Sequence, residues 1–401
     1  MKYWRGYLTA AILGFFSWAL TEFAKAHTTL IDMVYPYVTR ILQDWLAEWS
    51  SGVTFCLWQV LAIALVVGVL TTVVLAIVLR WNPIQVIGWY AAVASLLFFL
   101  HTALYGLNGY AGPISDDIHL NMTDYSLSEL EEATVYYRDQ ANALASKIDR
   151  DANGDPVYPE FSELAAQAEA GFDNLVYESN YSIFAGVTLP VKELGWADMY
   201  SSMGITGFTM ALTGEAAVNP QIPVVSLPFT MCHEMAHRMC IATESDANMA
   251  AFLACRSNPA IEYQYSAYFM AFRYCYNALA SLGTVESQNA MQRVKDGINE
   301  NLYRDLAAYS SFFADKKDDK ATKVADTVND TYIKAQGDER GIASYGAVCD
   351  MLVSWHIQTI VLPTKVEEDV KFDPFDENQV DLSGIVNAPV KETEPTEEPA
   401  E

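Results

Sequence analysis

Between Glu48 and Arg80 the chain carries no Asp, Glu, Lys or Arg, and the stretch from Thr54 to Leu79 inside that gap is rich in Leu, Val and Ile. Peptide groups in hydrocarbon must bond within their own segment, so roughly 20 apolar residues in a row read as a helix crossing a bilayer. Two more stretches qualify: Trp4 to Phe23, uncharged between Arg5 and Glu22, and Ile84 to Tyr105. The turn Arg80-Trp81-Asn82-Pro83 is too short to hold a domain, so the second and third spans are expected to form a hairpin.

Positive charge near helix ends orients such spans. Placing Lys2, Arg5 and Arg80 in the cytoplasm puts residues 24–53, and everything after about 107, outside. Lys25 and Arg40 on that outer side are offset by Asp32, Asp44 and Glu48. Ala24-Lys25-Ala26 also has the A-x-A form of a processing site, which would make the first span a cleaved signal peptide and leave the rest unchanged.

Charge divides the chain in the same place. Residues 1–107 hold five Lys/Arg and four Asp/Glu, and the remainder holds 19 and 46, so the net charge of −26 belongs to the part after the spans. With 52% hydrophobic residues in 401, this is no simple cytosolic enzyme or disulfide-dense mini-domain, and its acidity excludes a binder of nucleic-acid phosphates.

Beyond the spans the periodicity is helical. Ser126 and Glu129 make a capping box that opens a run to about Ile148, and further helical patterns cover Pro159 to about Glu178, Val285 to about Ala314, Ala321 to about Ala335 and Ile342 to about Thr359. A region with Gly and Pro, Val187 to Pro228, is expected to contain a small β element around Gly207 to Val218. Residues 364–401, with 12 acidic and 3 basic side chains and several prolines, read as a solvated acidic tail.

The segment His233-Glu234-Met235-Ala236-His237 carries the chemistry. On a helix, positions i and i+4 share a face, so both imidazoles can reach one metal ion, and Glu234 can act as general base toward a water held there. Zinc suits imidazole and carboxylate ligands with one position left open. Pro223 and Pro228 precede an apolar entry to the helix, and an acidic turn follows it. Two carboxylates compete for the third ligand. Glu244 would lie in the first turn of the next helix, whereas Asp246 has a capping relation to Thr243; Asn248, one turn on, could orient a ligand. The uncharged run Ala216 to Cys232 holds three prolines and is too short and broken for a span, which excludes an intramembrane site.

The run Leu227-Pro-Phe-Thr-Met-Cys-His233-Glu-Met-Ala-His237, followed by Glu244-Ser-Asp-Ala-Asn248-Met-Ala-Ala-Phe-Leu-Ala-Cys255, resembles the bacterial membrane-anchored family catalogued as domain of unknown function 3810. Leu104-Tyr-Gly-Leu-Asn108, Gly207 to Asn219 and Ser344-Tyr-Gly346 share in the resemblance, which runs from the first span to about residue 362. It implies a zinc-metallopeptidase-like site of His233, Glu234, His237 and a carboxylate at Glu244, and no substrate. The chain departs from the pattern at Cys240, where such loops commonly place Gly, and at Asp246, where Glu is usual. The first departure bears on the turn, because Gly eases positive φ.

Asp149, Asp151, Asn153, Asp155 and Glu160 fit the calcium-loop pattern D-x-[DN]-x-[DN]-G-x5-E, although Pro156 lacks a backbone N–H and an acidic Asn-Gly turn would account for the same residues. Of six cysteines, Cys56 lies in the second span; Cys232, Cys240, Cys255, Cys275 and Cys349 are expected as buried thiols, with a thiolate ligand as the alternative. Tyr332, Tyr345 and His356 are candidates to stabilise an oxyanion, and the Thr213-Gly214-Glu215 region could offer a strand edge to a peptide or form a structural hairpin.

The expected architecture is mainly α: a membrane domain over 1–107, a mostly helical zincin-like extracytoplasmic domain over 108–363 and the tail. The expected activity is a membrane-anchored zinc metallopeptidase acting on a peptide or protein substrate, with the lipid bilayer as its other partner. A zinc amidase on cell-wall peptide and a non-catalytic metal-stabilised receptor or scaffold are the alternatives.

Overall fold

A computed structural model describes residues 4–363 except 187, 317–318 and 336–346. The tail, Tyr345 and the Ser344-Tyr-Gly346 segment lie outside the described residues.

Helices α1 (Arg5–Ala26), α3 (Leu57–Val78) and α4 (Pro83–Leu104) are each long and apolar enough to cross a membrane. Between them α2 (Thr28–Ser51) occupies a stretch for which the sequence predicts no element. The turn into α4 forms as its residues dictate: Pro83 enters the first turn and the Asn82 side chain accepts from the backbone of Ile84 at 3.0 Å. The second and third spans are thus joined by a tight turn, but α4 packs chiefly on α1. A Cβ added to Gly6 would fall 2.3 Å from the carbonyl carbon of Gly88, so the two backbones touch there, as small residues allow in membrane helices. Helix α3 stands apart with Val66, Leu70, Val74 and Val78 exposed.

The large helical domain follows. After the single turn α5 (Ile114–Asp117) come α6 (Leu127–Ala145), opened by the Ser126–Glu129 capping box, and α7 (Phe161–Tyr177). A short helix α8 (Ala197–Ser202) connects β1 (Lys192–Glu193) to β2 (Gly207–Met210), which with β3 (Glu215–Val218) make a three-stranded sheet. Strand order is β1-β3-β2, with β1 parallel and β2 antiparallel to β3, so β2 is an edge. The motif helix α9 (Leu227–Arg238) packs on β2 and β3 and is followed by α10 (Glu244–Ser257), α11 (Ile261–Ser281), α12 (Val285–Asp296), α13 (Glu300–Lys316), α14 (Asp319–Ala335) and α15 (Val348–His356).

Helix α11 runs through the core, in contact with α6, α9, α10, α12 and α15, and buries Tyr263, Tyr265, Phe269 and Phe272 completely. No helix is expected there from periodicity, because a helix covered on nearly every side loses its polar stripe. The long pattern over Val285 to Ala314 divides into α12 and α13 at Gly297, and Asn299 restarts the chain by accepting from the backbone N–H of Leu302 at 2.8 Å.

The Thr213-Gly214-Glu215 turn is structural. Gly214 has φ +65°, and the Glu215 carboxylate accepts from the backbone N–H groups of Leu57 and Trp58 at 2.7 and 2.8 Å, from Lys192 Nζ at 2.7 Å and from Thr213 Oγ1 at 2.8 Å. It therefore caps the first turn of α3, tying the sheet to a candidate membrane span.

Candidate metal centre

Helix α9 positions the two imidazoles. Pro228 enters its first turn, where a missing N–H goes unused, and Ser266 of α11 accepts from the backbone N–H of Phe229 at 3.1 Å. The far end is closed by two backbone bonds, Cys240 N–H to the carbonyl of His237 at 2.9 Å and Ile241 N–H to the carbonyl of Ala236 at 3.1 Å. That pattern is a Schellman motif, and it requires a left-handed residue, here Cys240 at φ +69°. The turn found at the departure from Gly is thus the one Gly would favour, formed at some backbone strain. It swings the Ile241 carbonyl to within 2.9 Å of His237 Nδ1, which fixes the ring and leaves Nε2 facing inward.

Immediately after the turn, Thr243 Oγ1 accepts from the backbone N–H of Asp246 at 3.3 Å and starts α10. Glu244 in the first turn of α10 reaches back to the histidines. Its Oε2 lies 3.3 Å from His233 Nε2 and 3.8 Å from His237 Nε2, and the two nitrogens are 3.1 Å apart. Ligand atoms about 2.0–2.1 Å from a tetrahedral zinc would be about 3.4 Å from one another, so the three separations bracket the zinc geometry. Glu244 Oε2 is buried and faces only the two imidazole nitrogens, which fits an oxygen that shares a cation with them. Among the described residues, His233, His237 and Glu244 are the one group of His, Cys, Asp and Glu gathered closely enough to hold a metal. Burial opposes the charge of Glu244, but both histidines outweigh it and hold the carboxyl well below its usual range. Burial likewise opposes charge on His237, and Glu244 and Glu234 reverse the effect, raising the ring to about 9.

Glu234 sits beside this cluster and is buried. Its Oε2 lies 2.7 Å from Thr209 Oγ1, which is also 2.9 Å from the Glu234 backbone carbonyl. Its Oε1 lies against Gly207, where an added Cβ would come within 2.4 Å of it. Burial pushes the Glu234 carboxyl up, while His233, His237 and the Thr209 bond pull it down, with a net rise. Gly207 and Thr209 are alternate residues of β2 and so share a strand face. They were not singled out as functional in the sequence; a small residue and a hydroxyl at i and i+2 of a strand shortly before the motif is the only signal they leave.

The cluster opens into a cavity of about 870 Å³ whose lining includes Tyr105, Phe208, Met270, Arg273 and Tyr274. Asn248 also lines it and accepts from Tyr274 Oη at 3.1 Å. Asp246 is kept apart, facing a small second cavity with Asp32 and Asp117. His356 is buried against the rings of Tyr136 and Tyr137 and does not line the large cavity. All six cysteines are buried and free, and none joins the cluster.

Residues 31–353 match the family described as protein of unknown function DUF3810. The chain belongs to that family. No curated protein and no solved structure matches this DUF3810 chain.

The acidic loop of this DUF3810 protein has a different fate from the histidine motif. Asp151 Oδ1 accepts from the backbone N–H groups of Asn153 and Asp155 at 2.8 and 2.9 Å, an Asx turn, with Gly154 at φ +84°. Arg150 and Arg304 donate to the carbonyls of Gly154 and Asn153 at 3.0 and 2.9 Å. The carboxylates of Asp149, Asp151, Asp155 and Glu160 are not gathered closely enough to hold a metal together.

Proposed function

We propose that this DUF3810 chain is a membrane-anchored zinc metallopeptidase with a zincin-like, extracytoplasmic catalytic domain. The observation that carries the reading is the convergence of His233 Nε2, His237 Nε2 and Glu244 Oε2 on the wall of a large cavity, with a buried carboxylate from Glu234 beside them. Zinc bound there would supply Lewis-acid polarisation of a peptide carbonyl and of a water.

The chain's own residues do the rest. The Ile241 carbonyl accepts from His237 Nδ1 and orients the ring with Nε2 toward the cluster, where a bound cation would take the place of the proton on that atom. Glu234, its Oε2 engaged by Thr209, takes a proton from the attacking water and returns it to the leaving amine. The outer edge of β2, whose Gly207, Phe208 and Thr209 line the cavity, is the place for an extended peptide to pair. Lys2, Arg5 and Arg80 on the cytoplasmic side set the topology. A purely structural metal site has no use for a cradled base, which favours this reading over a scaffold.

Glu234→Gln in the full-length protein, zinc-loaded in nanodiscs, is expected to abolish cleavage of a peptide library read by mass spectrometry while metal content is unchanged. Wild-type turnover by that variant, or stoichiometric zinc with no cleavage by the wild type, overturns the reading.

A further inference from the structure

Helix α2 is built inside out. A stripe at i+4 spacing, Met33, Tyr37, Ile41, Trp45 and Trp49, is exposed, with Ile41 at 72% and both tryptophans at 61%. Leu30, Val34 and Val38 widen it. The buried side of the same helix carries Thr39, Arg40, Gln43 and Ser50 beside Ile31, Pro36 and Ala47, while Glu48 is exposed near the C-terminal end of the outer stripe. A soluble helix does the reverse.

The polar side already has its partner. Arg40 Nε donates to the Met239 carbonyl at 3.1 Å, Arg40 also bonds the carbonyls of Ile183 and Ala185, and Gln43 Nε2 donates to the Ala211 carbonyl at 2.9 Å. Ala47 backs so closely onto the β2–β3 turn that a Cβ on Gly214 would meet its nitrogen at 2.6 Å. Rotating α2 to hide its tryptophans would break all of these.

Connectivity says what covers the outer side. Only His27 separates α2 from α1, and residues 52–56 separate it from α3, so both ends are tied to spans at one bilayer surface. Asp32, Arg40, Asp44, Glu48 and Pro36 unfit it to cross. At 24 residues it is about 36 Å long, enough to lie along that surface between the two tethers. Tryptophan and tyrosine on one stripe suit the headgroup boundary.

We infer that α2 is an in-plane membrane helix whose outer face is sunk into the headgroup–acyl boundary, while its inner face grips the end of the motif helix. Tyr105, just past the end of α4, makes the second grip, donating to the His237 carbonyl at 2.9 Å. The histidine cluster therefore sits at the lipid surface, a placement that holds whether or not the cluster hydrolyses peptides.

Single spin labels at Ile41→Cys, Trp45→Cys and Met33→Cys in the full chain in nanodiscs test this, since the native cysteines are all buried. Tyr177→Cys, at an exposed position of α7, and Val66→Cys on α3 serve as references. The α2 labels are expected to collide with oxygen in preference to a water-soluble nickel complex, at a depth within about 10 Å of the headgroups. Nickel access equal to the Tyr177 site, a depth equal to the Val66 site, or protection from both reagents with label–label broadening overturns it; the last would mean a second copy. Photolabelling of the unsubstituted protein by a carbene carried on a lipid chain is an independent check. Label is expected on peptides containing Ile41 to Trp49, and its absence there also overturns the inference.

Discussion

Two segments of this chain spell a metal motif, and they differ in what their polar atoms are already doing. In the Asp149–Glu160 loop, Asp151 Oδ1 is engaged by the backbone of its own turn, and the Asp155 carbonyl, the backbone ligand of such a loop, accepts from the Asp151 N–H at 2.9 Å. In the His233–Glu244 segment the inward nitrogens and Glu244 Oε2 face each other and have no other partners. The first set has the spacing of a site and the bonding of a turn. The second has unmet valence at one point, and that is the property a ligand set needs.

Substitutions at the ligands should separate the two segments most widely. His237→Ala or Glu244→Ala is expected to weaken zinc by more than the roughly 10–100-fold typical of an outer-shell loss, whereas Asp155→Ala leaves zinc content unchanged; competition with a chelator measures both. Equal losses would dissolve the contrast. Next comes Gly207→Ala, whose added methyl carbon must displace Glu234 Oε1 from 2.4 Å. Misplacing a catalytic group by about 1 Å costs on the order of 100-fold in rate, so kcat is expected to fall by about that factor while zinc affinity holds. A parallel fall in zinc affinity would show that the base and the ligands are not separable.

The smallest effect concerns a histidine in neither segment. Burial holds the His356 ring down to about 4, below an unfolded value of about 6.5. Over that window the unfolded chain binds the proton and the folded chain does not, so stability is full above about pH 6.5 and declines as pH falls toward 4. His356→Phe is expected to flatten this acid slope in a plot of Tm against pH. An unchanged slope would assign it to other groups.

The parts of the site that are local in sequence were legible before the structure: the two histidines share a helical face, and Glu244 follows within one turn of the next helix. The choice between Glu244 and Asp246 needed the Thr243 cap, which fixes which carboxylate points back. Thr209, 25 positions before Glu234, was not legible as its partner, because nothing in a four-residue strand says which helix it will lie against. The helices of the three candidate spans lie within three residues of the bounds expected from the sequence, since hydrocarbon imposes length and composition together. Helices α2 and α11 escaped for opposite reasons. One turns a wide apolar stripe outward and several polar side chains inward, and the other is covered on nearly every side.

The turn at Cys240 has a consequence for how this centre assembles. It brings the third ligand, Glu244, back after only seven positions, so the triad closes within one short contiguous stretch, and loop-closure entropy grows slowly but surely with the length of chain enclosed. The base's cradle requires closure across 25 positions, and the grips of Tyr105 on His237 and Arg40 on Met239 across 132 and 199. The triad is therefore the locally encoded half of the centre, and the base's cradle and the two grips on the motif helix depend on closures of longer range.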